Sequence, residues 1–235
     1  MTTQEIISQL ESWGSESYKR ILINHGAKEP VLGVKIADLK KLQKQFMGEY
    51  ELALELFDTG IYDAQYLAGL ITDDSRMTKR DLQRWLKTSN CAAISSSVVS
   101  WVAAESAHGW ELAQKWIESP KEMTAQAGWT TLCALVAITE DSNLDVKTLK
   151  RLLQQVGKSI QKAPNFVRYG MNSFVIAVGC YVADLTDEAI KTAKSVGTVS
   201  VDMGNTACEV PAAAEYIAKV QKRGSIGKKR KTAKC

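Results

Sequence analysis

Apolar side chains recur at helical spacing along almost the whole chain. Ile6, Leu10 and Trp13 share one face of a helix, and the same three-and-four spacing returns as far as residues 149–156. Prolines stand only where one helical pattern stops and the next begins, at Pro30, Pro120, Pro164 and Pro211. Because proline breaks the interior of a helix, their positions agree with the hydrophobic pattern. The sequence therefore predicts an all-α fold.

From about residue 78 the predicted helices come in pairs. The pairs are 78–88 with 90–106, 109–118 with 120–138, 146–157 with 165–182, and 186–196 with 211–223. The first helix of each pair is short and amphipathic, whereas the second is apolar on nearly every face and must be covered on several sides. Stacked pairs cover one another, so we predict a right-handed solenoid of HEAT-like helical repeats that forms a single domain over residues 1–224.

One segment, residues 198–210, departs from the helical pattern. Val199, Val201 and Met203 alternate with polar residues, and a second alternating run follows Gly204-Asn205. Glycine at the first central position suits a type II′ turn, so the segment predicts one small β-hairpin. The alternative is a structured loop without strand pairing.

Composition narrows the class of protein. The sequence is 45% hydrophobic and 24% charged, and no apolar run approaches the roughly 20 residues that span a bilayer. The N-terminus has no secretory signal pattern, so we expect a cytoplasmic protein that has no membrane partner. The five cysteines are scattered, and the two histidines are not at ligand spacing. We expect a monomer with no metal and no cofactor.

Charge is distributed unevenly along the chain. Residues 141–235 hold 16 Lys/Arg and 8 Asp/Glu, whereas residues 1–140 hold 14 and 18. The basic half favours an anionic partner, although a solvated basic surface explains the same numbers. Residues 225–235 are predicted to form a flexible basic tail, in which Lys228, Lys229, Arg230 and Lys231 follow one another and can neutralise phosphates.

Several motifs resemble the AlkD-type DNA alkylation repair family of HEAT-repeat proteins. VLGVKIADLKKLQKQ (31–45) is similar to the N-terminal signature of that family, and LFDTGIYDAQYLAGLI (56–71) to its next helix pair. MTAQAGWTTLCAL (123–135) and FVRYGMNSFVIAVG (166–179) resemble its two central buried helices. VDMGNTACEVP (201–211) and the GKKRKTAKC terminus resemble its AlkF/AlkG-like branch, whose members lack glycosylase activity and bind DNA, including branched forms.

The resemblance also implies which side chains are missing. Enzymes of the family remove alkylated purines with aromatic faces, a carboxylate and an arginine placed in a groove. Aligned with these groups, this sequence has Ala92 and Ser173 at the two tryptophans, Ser96 at the carboxylate and Gln126 at the arginine. We therefore expect no catalytic residue and no glycosylase activity. A register shift of one turn leaves an alternative, in which Trp101 and Glu105 enter the groove and catalyse the reaction.

Polar residues in otherwise apolar helices are the candidate DNA contacts. Gln126, Asn172 and Ser173 either line a polar groove or satisfy the buried backbone locally. Lys162 and Arg168 flank a helix start and with its N-terminus predict an anion site. We predict a protein that binds bent or branched DNA through a basic concave groove. The alternatives are an active alkylpurine glycosylase and a protein-interaction scaffold.

Overall fold

The computed structural model describes residues 1–234, in which thirteen α-helices and no strand are present. The helices of the N-terminal half are α1 (Thr3–Trp13), α2 (Glu16–Asn24), α3 (Ile36–Phe46), α4 (Tyr50–Asp58), α5 (Tyr62–Ile71), α6 (Lys79–Thr88) and α7 (Ser100–Glu105). The remaining helices are α8 (Gly109–Ile117), α9 (Glu122–Ile138), α10 (Val146–Ser159), α11 (Asn165–Tyr181), α12 (Thr186–Val196) and α13 (Ala213–Lys222). The predicted all-α class is confirmed.

The helices form two compact units, and the single domain over residues 1–224 stays a prediction. The first unit contains Met1–His108 together with residues 204–206 and Lys234. The second contains Gly109–Met203 and Ala207–Ala233. All four helix pairs expected from residue 78 onward are present, with ends within a few residues of those predicted.

In the first unit, a buried carboxylate fixes the turn that leads into α3. Asp63 lies in α5 with no exposed surface, and its two oxygens accept the backbone N–H groups of Leu32 at 2.7 Å, Gly33 at 3.3 Å and Val34 at 2.8 Å. Gly33 has φ +80°, and a Cβ there would lie 2.5 Å from the carbonyl oxygen of Ser15. The glycine of the Leu-Gly-Val step is therefore required by the backbone conformation and by the close approach of Ser15.

A short π-helix, Ile94–Val99, runs directly into α7. Its wider turn allows the hydroxyl of Ser100 to donate to the carbonyl of Ser95, five residues earlier, at 3.1 Å. Ser96 lies inside this segment. The sequence pattern gave no sign of it, because the apolar spacing of a π turn differs from that of an α turn by only one residue.

In the second unit, α9 and α11 pack on each other and are buried on most of their faces. Glycines allow neighbouring helices to approach closely, Gly170 between α11 and α9 and Gly128 between α9 and α8. A Cβ at Gly170 would lie 3.0 Å from Cβ of Trp129, and one at Gly128 would lie 2.6 Å from the backbone nitrogen of Ile117. These apolar helices therefore depend on α8, α10, α12 and α13 to cover their remaining surface.

The predicted β-hairpin at 198–210 is wrong, because no residue of this segment forms a strand. Side chains hold its backbone instead. The amide of Asn165 donates to the carbonyl of Asp202 and accepts its N–H, both at 2.8 Å, and Gln161 donates to the carbonyl of Thr198 at 3.1 Å. Alternation of apolar residues marks any extended backbone, so the structured-loop alternative describes this segment.

Part of the predicted flexible tail, residues 227–230, is hydrogen-bonded to other parts of the second unit. The N–H of Gly227 donates to the carbonyl of Cys180 at 2.9 Å, and that of Arg230 donates to the carbonyl of Ala137 at 2.8 Å. Ala233 is only 1% exposed. The carbonyls at a helix C-terminus have no partner within the helix, and here the basic segment supplies partners at the ends of α9 and α11.

Within the described chain, no single helix is both long and apolar enough to cross a membrane. One helix pair passes the same test of length and composition, Asn165–Tyr181 with Ala183–Val196, but it is bent by 120°.

Replacing Asp63 with alanine is expected to destabilise the protein by roughly 2–4 kcal/mol, because three backbone N–H groups lose a charged acceptor. Urea unfolding measures this change. The control is Asp58→Ala, which removes an exposed ion pair with Arg84 at 3.1 Å and is expected to cost less than about 1 kcal/mol. Equal effects of the two substitutions would contradict the role assigned to Asp63.

Candidate nucleic-acid interface

Helix α11 carries three of the candidate DNA contacts, and α9 carries a fourth. Arg168 is half-buried, and its Nε is buried without a hydrogen-bond partner among residues 1–234. Ser173 is also half-buried and lines a cavity at the far end of the same helix. Gln126 is 5% exposed, and its Oε1 has no hydrogen-bond partner within the described chain. Arg168 and Gln126 thus each have one buried polar atom that forms no hydrogen bond with any described residue.

Asn172 differs from its neighbours because its side chain has a structural partner. It is 3% exposed, and its amide donates to the carbonyl of Pro211 at 2.9 Å. This bond holds the chain just before α13 begins. Of the two explanations that the sequence left open, the structure supplies the contacts for local satisfaction at this position.

The start of α11 already has a carboxylate. Oε1 of Glu122, at the first position of α9, accepts the N–H of Phe166 at 2.7 Å. A phosphate that approached this helix start would meet that negative charge, so the predicted anion site is not open at Phe166. Lys162, which precedes the helix in the short turn Ile160–Lys162, is exposed and forms no ion pair with any described residue.

Lys229 closes the C-terminal ends of the two buried helices. Its ammonium donates to the carbonyls of Val136 at 2.9 Å and Tyr181 at 2.7 Å, near the ends of α9 and α11. It also pairs with Asp141 at 2.7 Å, and its side chain is only 9% exposed. A cation at a helix C-terminus is stabilised by the helix dipole, and this one serves two helices.

The basic residues next to Lys229 are more exposed to solvent than Lys229 itself. Lys228, Arg230 and Lys231 are exposed. Lys228 and Lys231 form no ion pair with residues 1–234, so their charges are available to a ligand. The basic run therefore combines one structural lysine with side chains that face solvent, a division that the sequence alone does not reveal.

The first unit contains a half-buried ion pair that the sequence did not reveal. Lys234 pairs with Oδ2 of Asp74 at 2.7 Å and donates to the carbonyl of Thr72 at 3.2 Å. Burial raises the pKa of Asp74 to about 6, Lys234 opposes that rise, and Glu105 adds to it. In the sequence, the ion pair is indicated only by Lys234 itself, an isolated lysine next to the last residue, and nothing near it identifies Asp74 as its partner.

Four side chains align with the catalytic groups of the AlkD-type enzymes. Ala92 and Ser96 precede α7, whereas Gln126 lies on α9 and Ser173 on α11. Ala92 and Ser96 are half-buried, and Ser96 belongs to the π-helix. Trp101, the alternative aromatic group, meets the ring of Tyr66 edge-on at 5.7 Å between centroids. Trp129 is fully buried in the core.

Among residues 1–234, acidic, histidine and cysteine side chains do not cluster as they do in metal sites. Among residues 1–234 no three of them are close enough together to hold a metal ion. The candidate interface therefore consists of cations, amides and hydroxyls, which are the groups that proteins use to contact phosphate and sugar.

Known proteins are similar to this chain over nearly all of its length. The sequence profile of a family described as DNA alkylation repair enzyme matches residues 6–217. The uncharacterised proteins Lin0241 of Listeria innocua and Lmo0209 of Listeria monocytogenes are 31% and 30% identical, over 95% of this chain and 99% of theirs. A solved structure matches with TM-score 0.92 and 34% identity over 100% of both chains. It is described as a new family of proteins related to the HEAT-like repeat DNA glycosylases with affinity for branched DNA structures, and the match confirms the HEAT-like repeat fold.

Replacing Lys229 with methionine is expected to lower the free energy of unfolding by roughly 1–3 kcal/mol, because two carbonyls and Asp141 lose their partner. The matched control is Lys228→Met, one residue earlier and exposed, which is expected to change stability by less than about 0.5 kcal/mol. Thermal and urea unfolding of the two variants measure the difference. If both variants unfold like the original protein, Lys229 does not close the helix ends in solution.

Proposed function

This chain belongs to the DNA alkylation repair family, and on that premise we propose that it binds DNA, including bent and branched forms, without excising bases. The observation that carries the proposal is the set of unpaired cations on the second unit. Lys162, Lys228 and Lys231 are exposed and free of ion pairs within the described chain, in a half of the sequence that holds 16 basic and 8 acidic residues. Exposed cations of this kind bind phosphates and release counterions.

The affinity for branched DNA is stated for the solved relative, which shares 34% identity with this chain. We extend that property to this protein as part of the proposal. In a basic groove, the half-buried Arg168 would contact phosphate, and the hydroxyl of the half-buried Ser173 would contact sugar or water, while the buried Gln126 would lie beneath them. Such contacts fix the position of the backbone and read its shape, so they respond to bends and branches more than to base sequence.

The absence of base excision follows from the aligned positions. Ala92 has no ring to hold a cationic purine, Ser96 has no charge to stabilise an oxocarbenium ion, and Gln126 has no positive charge. A cytoplasmic monomer that needs no cofactor fits this function. Two alternatives remain testable, a glycosylase that uses Glu105 with Trp101, and a scaffold that binds proteins rather than DNA.

Substituting Arg168 with alanine is expected to weaken duplex and branched DNA binding and to reduce the slope of log K against log salt by about 0.9, the value for one phosphate contact. Fluorescence anisotropy over a salt series measures the slope. Lys44→Ala is the control, because Lys44 is an exposed lysine of α3 in the first unit and carries the same charge. Its slope is expected to match that of the original protein.

Two results would count against the proposed DNA site. An unchanged slope in Arg168→Ala places the phosphate contacts elsewhere on the protein. Affinity for DNA that is negligible at every salt concentration favours the scaffold instead, since electrostatic binding must strengthen as salt is lowered.

Incubation with DNA that contains 7-methylguanine or 3-methyladenine is expected to release no base above the spontaneous rate. Losing a single oxyanion-type contact costs on the order of 10²–10³ in rate, and three groups are absent here. Single-turnover chromatography of the released bases makes the measurement. Enzymatic release that is lost in Glu105→Gln would establish the shifted catalytic set and refute this part of the proposal.

A further inference from the structure

A cavity of about 530 Å³ lies within the second unit, between α11, α13 and the segment 225–230. Its floor is one face of α11, where Ser173, Ala177 and Tyr181 follow one another at four-residue spacing. Tyr216 from α13 forms part of the opposite wall. The volume falls within the range of about 300–1,000 Å³ that is usual for small-molecule sites.

Within residues 1–234, no acidic side chain lines the cavity. Among residues 1–234 the ionisable side chains that line it are two tyrosines, Cys180 and the three cations of the basic run. Burial raises the pKa of Cys180 to about 11, and burial also raises the pKa of Tyr181 although Arg230 opposes it. The thiol and the phenol are therefore neutral at neutral pH, so the cavity offers an apolar interior beside positive charge.

Two observations favour a ligand that has a flat ring and a phosphate. Tyr216 is 47% exposed, and the other large hydrophobic side chains with such exposure in residues 1–234 are aliphatic. Its ring is therefore accessible for stacking. Lys228 and Arg230, on either side of Lys229, are exposed side chains, and all three cations line this cavity. An aromatic surface beside two cations is the arrangement with which proteins hold unstacked nucleotides.

We propose that this cavity accepts one unstacked nucleotide of a DNA strand, with its base against Tyr216 and its phosphate between Lys228 and Arg230. The inference rests on the proposed function and identifies what distinguishes a branched or bulged DNA from an intact duplex. Unstacking a base of an intact duplex costs free energy, but at a bulge the base is already displaced, and at a branch point the stacking is already interrupted. Ser173, which lines the cavity, also belongs to the predicted DNA contacts, so a strand that follows α11 reaches the opening.

The test compares two duplexes that differ by one base. One carries a single-adenine bulge, and the other carries an abasic residue at the same bulge. The protein is expected to bind the adenine bulge on the order of tenfold more tightly, the size of effect that stacking of one base on an aromatic side chain produces. Fluorescence anisotropy at one fixed salt concentration measures both affinities, together with that for the unbulged duplex.

Substitutions of Tyr216 connect this preference to the cavity. Tyr216→Ala is expected to abolish the preference for the base and to leave the affinity for the unbulged duplex unchanged, whereas Tyr216→Phe keeps the ring and the preference. Ile21→Ala is the matched control, because Ile21 is a similarly exposed apolar side chain at 49% and lies in the first unit. Unchanged duplex affinity and circular dichroism show that Tyr216→Ala is folded.

The outcomes separate this inference from the proposed function. Equal affinity for the adenine and abasic bulges, or a preference that survives in Tyr216→Ala, overturns the nucleotide site and leaves DNA binding intact. If no DNA binds, the proposed function fails, and titration with deoxyadenosine monophosphate then tests the cavity alone. If deoxyadenosine monophosphate binds and Tyr216→Ala abolishes that binding, the cavity is a nucleotide site that does not require DNA. If the nucleotide does not bind, or if palmitate, which also joins an apolar chain to a negative charge, binds instead, the inference is overturned.

Discussion

The need to cover α9 and α11 on every side governs the second unit. Both helices are apolar around most of their circumference, and a helix of that kind is stable only when other elements exclude water from all its faces. Gly128 and Gly170 let neighbours approach to distances that no larger side chain allows. The amphipathic helices α8, α10, α12 and α13 each contribute one apolar face to this burial, so the pairing of short and long helices follows from the burial itself.

When a whole helix is buried, the unpaired backbone N–H and C=O groups at its ends are buried too. In this protein charged side chains form hydrogen bonds with those groups. Lys229 bonds the last carbonyls of α9 and α11, while Glu122 accepts an N–H at the start of α11. Asp63 does the same for a loop of the first unit, where it binds three successive N–H groups. Some of the charges are thus bound to the backbone of the protein, and the net charge of the basic half overstates the positive charge that can meet a ligand.

The periodicity of the sequence was sufficient to predict the helices and their pairing, because burial of one face repeats every three or four residues. It could not predict features that depend on distant partners. The alternation at Val199, Val201 and Met203 reported an extended backbone correctly, but the side chain of Asn165 replaced the partner strand. The basic run was interpreted as solvated for the same reason, since nothing near Lys229 in sequence reveals the carbonyls of Val136 and Tyr181. The sequence predicted that the candidate DNA contacts lie on α9 and α11. It could not predict that Asn172 bonds to the carbonyl of Pro211 or that the N–H of Phe166 donates to Glu122.

The same substitutions that remove the catalytic groups also favour the proposed binding of the DNA backbone. A carboxylate in a DNA groove repels phosphates, and an enzyme tolerates that repulsion because the charge stabilises its transition state. With Ser96 at that position the repulsion is gone, and a hydroxyl remains that can bond to sugar, phosphate or water. The aromatic surface that Ala92 and Ser173 no longer provide is available instead at Tyr216, beside cations and away from any acidic group that lines the cavity within residues 1–234. In the proposed function the absence of that carboxylate favours contact with phosphates, and in the proposed nucleotide site Tyr216 supplies the surface for stacking.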